Sequence, residues 1–387
     1  MKNLQQLKVA IIYDRANTSY GGAEQVLLAI QEIYPQAELL TSIYNSKKAL
    51  WANRFKNVKT TFLNKIKFLR NQHQWLAFSM PLAFELLNLS KYDLIISVTS
   101  AEAKGVITTP NQLHICYLLS PPRYLYKFKN EYLNSRRLFK VTLIKQISLL
   151  FLKYLQWWDQ VAIRRPDVII PLSQEVAKRV YDSYNITVNP PVYPPVDMIN
   201  LGVDESCLNE LSLPTNFNLV VSRLVFYKKV DLAIKACAKL EQNLIVVGEG
   251  EERRKLQELA KKVSRSSSFK IIFLPSQSQK VVNALMKKAD LFLSVGIDDF
   301  GLAPLQANLF GTPAIINSQS GVAEIYSKID LGGIVNSSNI TELVNKITQT
   351  SSKKIKSANI ESVKKICGKN QFQQSLLSII SSNLKTQ

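Results

Sequence analysis

The chain has 387 residues, 46% of them hydrophobic and 20% charged, which excludes a single small module at ~100–200 residues per domain and excludes a disordered chain. Its 49 Lys and Arg against 29 Asp and Glu leave a net charge of +20, a balance that attracts nucleic acid, anionic lipid or phosphorylated small molecules. Four scattered cysteines (Cys116, Cys207, Cys237, Cys367) without a C-x-x-C pair, and two histidines (His73, His114), argue against a zinc site, a disulfide scaffold and a Ser-His-Asp mechanism, and fit a reducing compartment.

In chain order, residues 1–8 run into the apolar stretch Val9–Tyr13, which Asp14 interrupts too soon for a signal peptide, so no export is expected. This stretch reads as a strand, followed by a loop with Gly21-Gly22-Ala23-Glu24 and a helix starting near Glu24, with Val26, Leu27 and Ile30 on one face. Paired glycines suit either a tight turn or close approach of backbone and helix N-terminus to an anion. Further strands are expected at 39–43, 93–98, 105–108, 113–118 and 168–171. Residues 39–84 hold no acid, and their lysines and arginines alternate with Trp51, Phe55, Phe62, Phe68 and Trp75. Residues 123–165 hold ten basic and two acidic residues, again among aromatic rings. Such mixtures suit either an anionic membrane interface or plain solvated faces, and no nucleic-acid module accompanies them. The apolar stretch 141–158 contains Lys145, Gln146 and Lys153, so it falls short of the ~20 clean apolar residues that span a bilayer and reads as a helix on or near a surface.

Residues 189–196, Asn-Pro-Pro-Val-Tyr-Pro-Pro-Val, are too stiff to continue a sheet or helix and read as a linker. Beyond them, strands are expected at 219–222, 244–247, 271–274, 291–295, 314–316 and 333–335, with helical stretches between. Strands alternating with helices in two halves predict two α/β domains with parallel sheets, whose ligands bind beyond the carboxyl ends of the strands, facing a cleft. Arg223 and Lys228 leave such a strand end and approach a helix N-terminus, as a diphosphate site or a solvated basic loop would require. Asp298 and Asp299 sit on a strand-to-helix turn, where an N-cap is the simpler role, and Gln306 follows eight residues after Asp298.

Together these segments resemble the GT-B glycosyltransferases, specifically the retaining family 4. The resemblance runs through Gly21-Gly22-Ala-Glu24, Tyr92-Asp-Leu-Ile-Ile-Ser97 with Ala103-Lys-Gly-Val106, His114-Ile-Cys-Tyr117 with Pro121 and Arg123-Tyr124, Trp158-Asp159 through Arg164-Arg165, Pro194-Pro-Val-Asp197, Ser222-Arg-Leu with Tyr227-Lys-Lys-Val-Asp231, Val247-Gly-Glu-Gly250, and Asp299-Phe-Gly-Leu302 with Pro304. It implies two Rossmann-like, doubly wound domains facing across a cleft: 1–195 on the acceptor side, 196–368 holding the donor, and a helix within 369–387 crossing back to the first domain. It implies transfer of a sugar from a nucleotide diphosphate sugar, with retention and no required metal; together with the basic aromatic segments it leads to the expectation of a glycan or lipid-linked acceptor and a place on the cytoplasmic side of a membrane.

By the same resemblance, Arg223 and Lys228 grip the donor diphosphate, and Asp298 contacts the donor sugar. Gln306 reaches the ribose, Gly21 and Gly22 bring backbone toward phosphate or sugar, and Phe300, Gly301 and Leu302 supply backbone N–H groups. Asp298 and Gln306 stand where the family has a pair of glutamates, and Ser100 and Leu119 where it often has histidines. These departures raise two alternatives: a degenerate GT-B protein serving as accessory to an active transferase, and the related nucleotide-sugar epimerases, against which the 298–302 turn argues.

Overall fold

The computed structural model describes residues 4–65, 78–126, 142–196, 204–264, 268–336, 339–351 and 353–384. It divides into two compact units, Met1–Pro195 with Lys369–Gln387, and Val196–Gly368.

The strands of the first unit are β1 (Val9–Tyr13), β2 (Glu38–Thr41), β3 (Val58–Thr60), β4 (Leu94–Thr99), β5 (Leu113–Leu118) and β6 (Val168–Pro171). Its helices are α1 (Gly22–Ile33), α2 (Met80–Glu85), α3 (Thr142–Ala162) and α4 (Gln174–Tyr184). The second unit holds β7 (Asn218–Val221), β8 (Leu244–Val247), β9 (Ile271–Leu274), β10 (Leu291–Ser294), β11 (Ala314–Asn317) and β12 (Gly332–Val335). Its helices are α5 (Val230–Lys239), α6 (Arg253–Val263), α7 (Gln279–Lys288), α8 (Leu302–Leu309), α9 (Ala323–Tyr326), α10 (Ile340–Thr350) and α11 (Ser357–Cys367). The last helix, α12 (Lys369–Leu384), belongs to the first unit.

Among the described residues every strand pairing is parallel, in the orders β3-β2-β1-β4-β5-β6 and β12-β11-β10-β7-β8-β9. Renumbered within each unit, both orders are 3-2-1-4-5-6, the doubly wound Rossmann arrangement expected from the sequence. Strands such as Leu94–Thr99 and Leu113–Leu118 are buried along their whole length because helices cover both faces of a parallel sheet, so their apolar runs are continuous rather than alternating. In the second unit, Leu291, Leu293, Leu244 and Val246 pack with Ile234 of α5 and Ile347 of α10 in one core. In the first unit, Phe372 of α12 packs edge-on against the Tyr117 ring of β5 at 5.6 Å, and the Tyr117 hydroxyl donates to the Val192 carbonyl.

The structure differs from the sequence reading at three places. Residues 105–108 form no strand, because both neighbours of β4 are already β1 and β5; the chain instead winds a 3-10 turn, Ala103–Gly105, packed on the Trp158 ring. Strand β3 escapes the apolar pattern because it is a three-residue edge strand, with Lys59 exposed between half-buried Val58 and Thr60. Helix α1 also begins two residues before the expected start, at Gly22.

His114 lies fully buried on β5, with Nε2 2.8 Å from the Ser97 hydroxyl on β4. Burial pushes its pKa down from 6.5 to about 3. The unfolded chain therefore binds a proton below pH ~6.5 that the folded chain refuses, so this group destabilises the fold as pH falls toward 3. We expect wild type to lose about 1.2 kcal/mol relative to His114→Gln between pH 6 and 5, measured by urea titration. Parallel stability curves would contradict this.

Candidate active site

In a doubly wound sheet the ligand crevice opens where the strand order reverses, between the first and fourth strands. In the second unit that point lies between β7 and β10. The chain leaving β7 passes Arg223 and winds a 3-10 turn, Phe226–Lys228, before Lys229, in the left-handed region at φ 51°, starts α5. The chain leaving β10 passes Gly296 and Asp298 and turns into α8. A Cβ on Gly296 would stand 2.4 Å from the Lys228 Cα, so this close approach of two backbones admits only glycine.

The Lys228 ammonium pairs with Asp298 Oδ1, both side chains being largely buried. The Ser294 hydroxyl donates to Asp298 Oδ2 at 3.1 Å. The Asp298 amide donates to the Ser320 hydroxyl at 2.9 Å, and that hydroxyl donates to the Gly296 carbonyl at 3.2 Å. Asp298 is thus part of a braced turn that fixes Lys228, a firmer setting than an exposed N-cap. Arg223 is exposed, its Nη2 donating to the Tyr227 hydroxyl at 3.2 Å.

Gly301, at φ 110°, turns the chain into α8 with no side-chain cap. Leu302 and Ala303 open the helix, so their N–H groups have no acceptor within it, and Pro304 behind them carries none. Phe300 is buried and its carbonyl accepts from the Val322 amide at 2.7 Å; Gln306 is half-buried on α8. Arg223, Lys228, Asp298, Phe300, Gly301, Leu302 and Gln306 therefore all lie on the loops after β7 and β10 or on the helix that follows.

Gly21 and Gly22 open α1 in the first unit. Here two amides at the helix start, those of Gly21 and of Glu24 itself, already have a partner in the Glu24 carboxylate, as in a capping box. It also accepts from the hydroxyls of Tyr13 at 2.9 Å and Thr18 at 3.3 Å. Burial raises the Glu24 pKa despite these bonds.

The reversal point of the first unit, between β1 and β4, carries a buried polar network that the motif reading assigned no role. Asp14, just after β1, accepts from the Thr99 hydroxyl at 2.7 Å and from the amides of Ser100 and Ala103, each at 2.9 Å. Lys104 is fully buried and pairs with Asp159 at 2.5 Å. Asp159 also accepts from the hydroxyls of Tyr126 at 2.8 Å and Tyr184 at 2.7 Å. Burial opposes the charge on Lys104, but the Asp159 carboxylate more than offsets it, and the Lys104 pKa is raised. Glu102 accepts from the Tyr124 hydroxyl at 3.1 Å, and burial raises its pKa against the pull of Arg15. Three of these side chains stood inside the motif segments, Lys104, Tyr124 and Asp159; what the sequence lacked was the fold contact joining them.

With this geometry in place, comparison with known proteins identifies the second unit. Residues 209–365 match the family Glycosyl transferases group 1. The second unit is a glycosyltransferase group 1 domain. A stretch of 121 residues is 29% identical to "Uncharacterized glycosyltransferase MJ1607" of Methanocaldococcus jannaschii, spanning 30% of this chain and 30% of that relative's length. Among solved structures, Anabaena Alr3699/HepE in complex with UDP-glucose matches with a TM-score of 0.68 and 19% identity, over 97% of this chain and 99% of that one. Sucrose-phosphate synthase (tll1590) from Thermosynechococcus elongatus matches with a TM-score of 0.71 and 14% identity, over 98% of this chain and 100% of that one. At these identities the structural likeness speaks for the fold. The expectation of two Rossmann-like domains of the GT-B kind is borne out by the fold, and the match over residues 209–365 supports the reading as a transferase.

Proposed function

We propose that the chain transfers a sugar from a nucleotide diphosphate sugar, with retention, to a glycan or lipid-linked acceptor presented at the cytoplasmic face of a membrane. The observation that carries this reading is the braced Lys228–Asp298 pair at the strand reversal of the glycosyltransferase group 1 domain, with Arg223 on the same loop. Two cations and the α8 N-terminus match the charge that develops on a departing diphosphate, and electrostatic stabilisation of this kind is usually the largest catalytic contribution. In the reaction the bond from the sugar C1 to the diphosphate oxygen breaks, and its electron pair leaves with the phosphate. The acceptor oxygen bonds to C1 on the same face, and its proton passes to the departing phosphate oxygen.

In this reading Arg223 and Lys228 hold the diphosphate, and Asp298 faces the sugar while fixing Lys228. Gln306 receives the ribose hydroxyls, and Phe300, Gly301 and Leu302 offer backbone. The solved neighbours in complex with UDP and with UDP-glucose make a uridine nucleotide the first donor to test. Calorimetry with UDP, GDP, ADP and inorganic pyrophosphate is expected to show one nucleotide binding selectively, with that binding lost in Arg223→Ala. Binding that only follows anion charge and vanishes with moderate salt would sink the donor-site reading. It would favour the accessory role, which the Gln306 and Leu119 departures support.

A further inference from the structure

Helix α3 is apolar on both sides. Leu155, Trp158 and Ala162 face the core, while Leu150, Tyr154, Trp157 and Val161, spaced by four, three and four residues, form one outward stripe. Leu150 is 68% exposed and Trp157 63%. A soluble surface helix ordinarily turns charge outward here. The stripe continues sideways: the Phe151 ring meets the Phe78 ring at 5.7 Å, and beyond Phe78 the outer face of α2 presents Leu82 and Leu86. The two helices are locked together by Trp158 and Arg165, which both donate to Glu85, so the patch is one built surface rather than separate exposed side chains. Lys153, exposed, falls on one flank of the stripe by helical spacing, Arg164, also exposed, follows in the turn just past the helix end, and the single acid of α3, Asp159, is buried.

We propose that this face of α2 and α3 seats the first unit on an anionic lipid bilayer, with Leu150, Tyr154 and Trp157 entering to headgroup depth and Lys153 and Arg164 meeting lipid phosphates. The proposal names the membrane contact of the function proposed above and rests on that reading for its purpose. Tryptophan and tyrosine among leucines, flanked by cations, is the composition that binds at the interface. No helix among the described residues is long and apolar enough to cross a membrane, so the contact lies along the surface. A second copy is the poorer occupant, since two chains of net charge +20 repel, whereas an anionic surface attracts each. The basic residues Lys67, Arg136 and Arg137, which the sequence also suggests for membrane contact, lie outside the described residues.

The test is sedimentation of the full chain with vesicles of phosphatidylcholine containing 30% phosphatidylglycerol, and with phosphatidylcholine alone. Wild type is expected to sediment with the anionic vesicles, and a Leu150→Ser/Trp157→Ser variant to bind at least tenfold more weakly while keeping the wild-type melting temperature. Trp157→Phe, which keeps an apolar ring, is expected to bind as wild type but to lose most of the tryptophan quenching by brominated acyl chains. Wild-type sedimentation of the serine variant, or unchanged quenching in Trp157→Phe, would overturn the proposal. So would a lipid-free dimer, seen by light scattering, that the serine variant dissolves, for then a second copy covers the face. Selective nucleotide binding, measured on the same preparations, separates the two readings: its absence beside intact vesicle binding sinks the transferase and leaves the surface standing.

Discussion

Replacing Arg223 with alanine is expected to lower sugar transfer by about 10²–10³-fold, the range for losing one preorganised group that meets transition-state charge. Arg223 is the cleaner of the two cations to remove, because it is exposed and bonds Tyr227, so its loss leaves no buried charge behind. Lys228→Ala is expected to cost at least as much, but for two reasons at once: the cation is gone, and Asp298 keeps a largely buried carboxylate held by Ser294 alone. The two effects separate in the pairing Lys228→Ala with Asp298→Asn. If the loss is purely catalytic, the double variant regains nothing; if part of it is collapse of the turn, melting temperature and nucleotide affinity recover in the double variant while turnover stays low. Near-normal turnover in both single variants would contradict the assignment.

The largest expected loss of stability lies in the other unit. Lys104→Met removes one partner of a fully buried ion pair and leaves Asp159 charged between two tyrosine hydroxyls. Breaking such a pair costs about 3–5 kcal/mol, because the remaining charge is neither solvated nor matched. All four tryptophans (Trp51, Trp75, Trp157, Trp158) belong to the first unit, so tryptophan fluorescence in urea reads this unit separately from the second. We expect its midpoint to fall sharply in Lys104→Met and to recover in part in Lys104→Met/Asp159→Leu, which removes both charges. A shift no larger than that of a surface substitution would mean that water reaches the pair.

The contrast between these two sites shows what the sequence made legible. Parallel sheets, buried on both faces, write their strands as apolar runs, and for that reason β1, β5 and β8 could be read nearly to the residue. Edge strand β3 has no buried face to write such a run, and residues 105–108 have strand composition but no free sheet neighbour. The residues proposed for the donor side were legible as types: a cation after one strand, an acid after another, a glycine before a helix. Their pairing was not, since Lys228 and Asp298 stand 70 residues apart and meet only because β7 and β10 are neighbours. The Lys104–Asp159 pair was hidden for the same reason, with the added difficulty that a lysine ordinarily reads as surface. The glycine pair at the start of α1 made the turn legible, but not that the Glu24 carboxylate folds back onto the Gly21 amide.

The first unit is assembled from two distant stretches of chain, with the whole of the second unit lying between them in sequence. During synthesis, residues 196–368 emerge complete before α12 does, so the second unit has all its strands while the first still lacks a helix. Until α12 arrives, Tyr117 misses the Phe372 ring, and α1 misses the bond from Gln373 to the Ala29 carbonyl and the ion pair from Lys369 to Glu32. The order of completion is therefore the reverse of the order of translation, and the nascent first unit must wait with an uncovered apolar surface, the condition in which chaperones engage. A truncation at residue 195 would hold the first unit permanently in that waiting state, whereas residues 196–368 form a continuous piece that can be made alone.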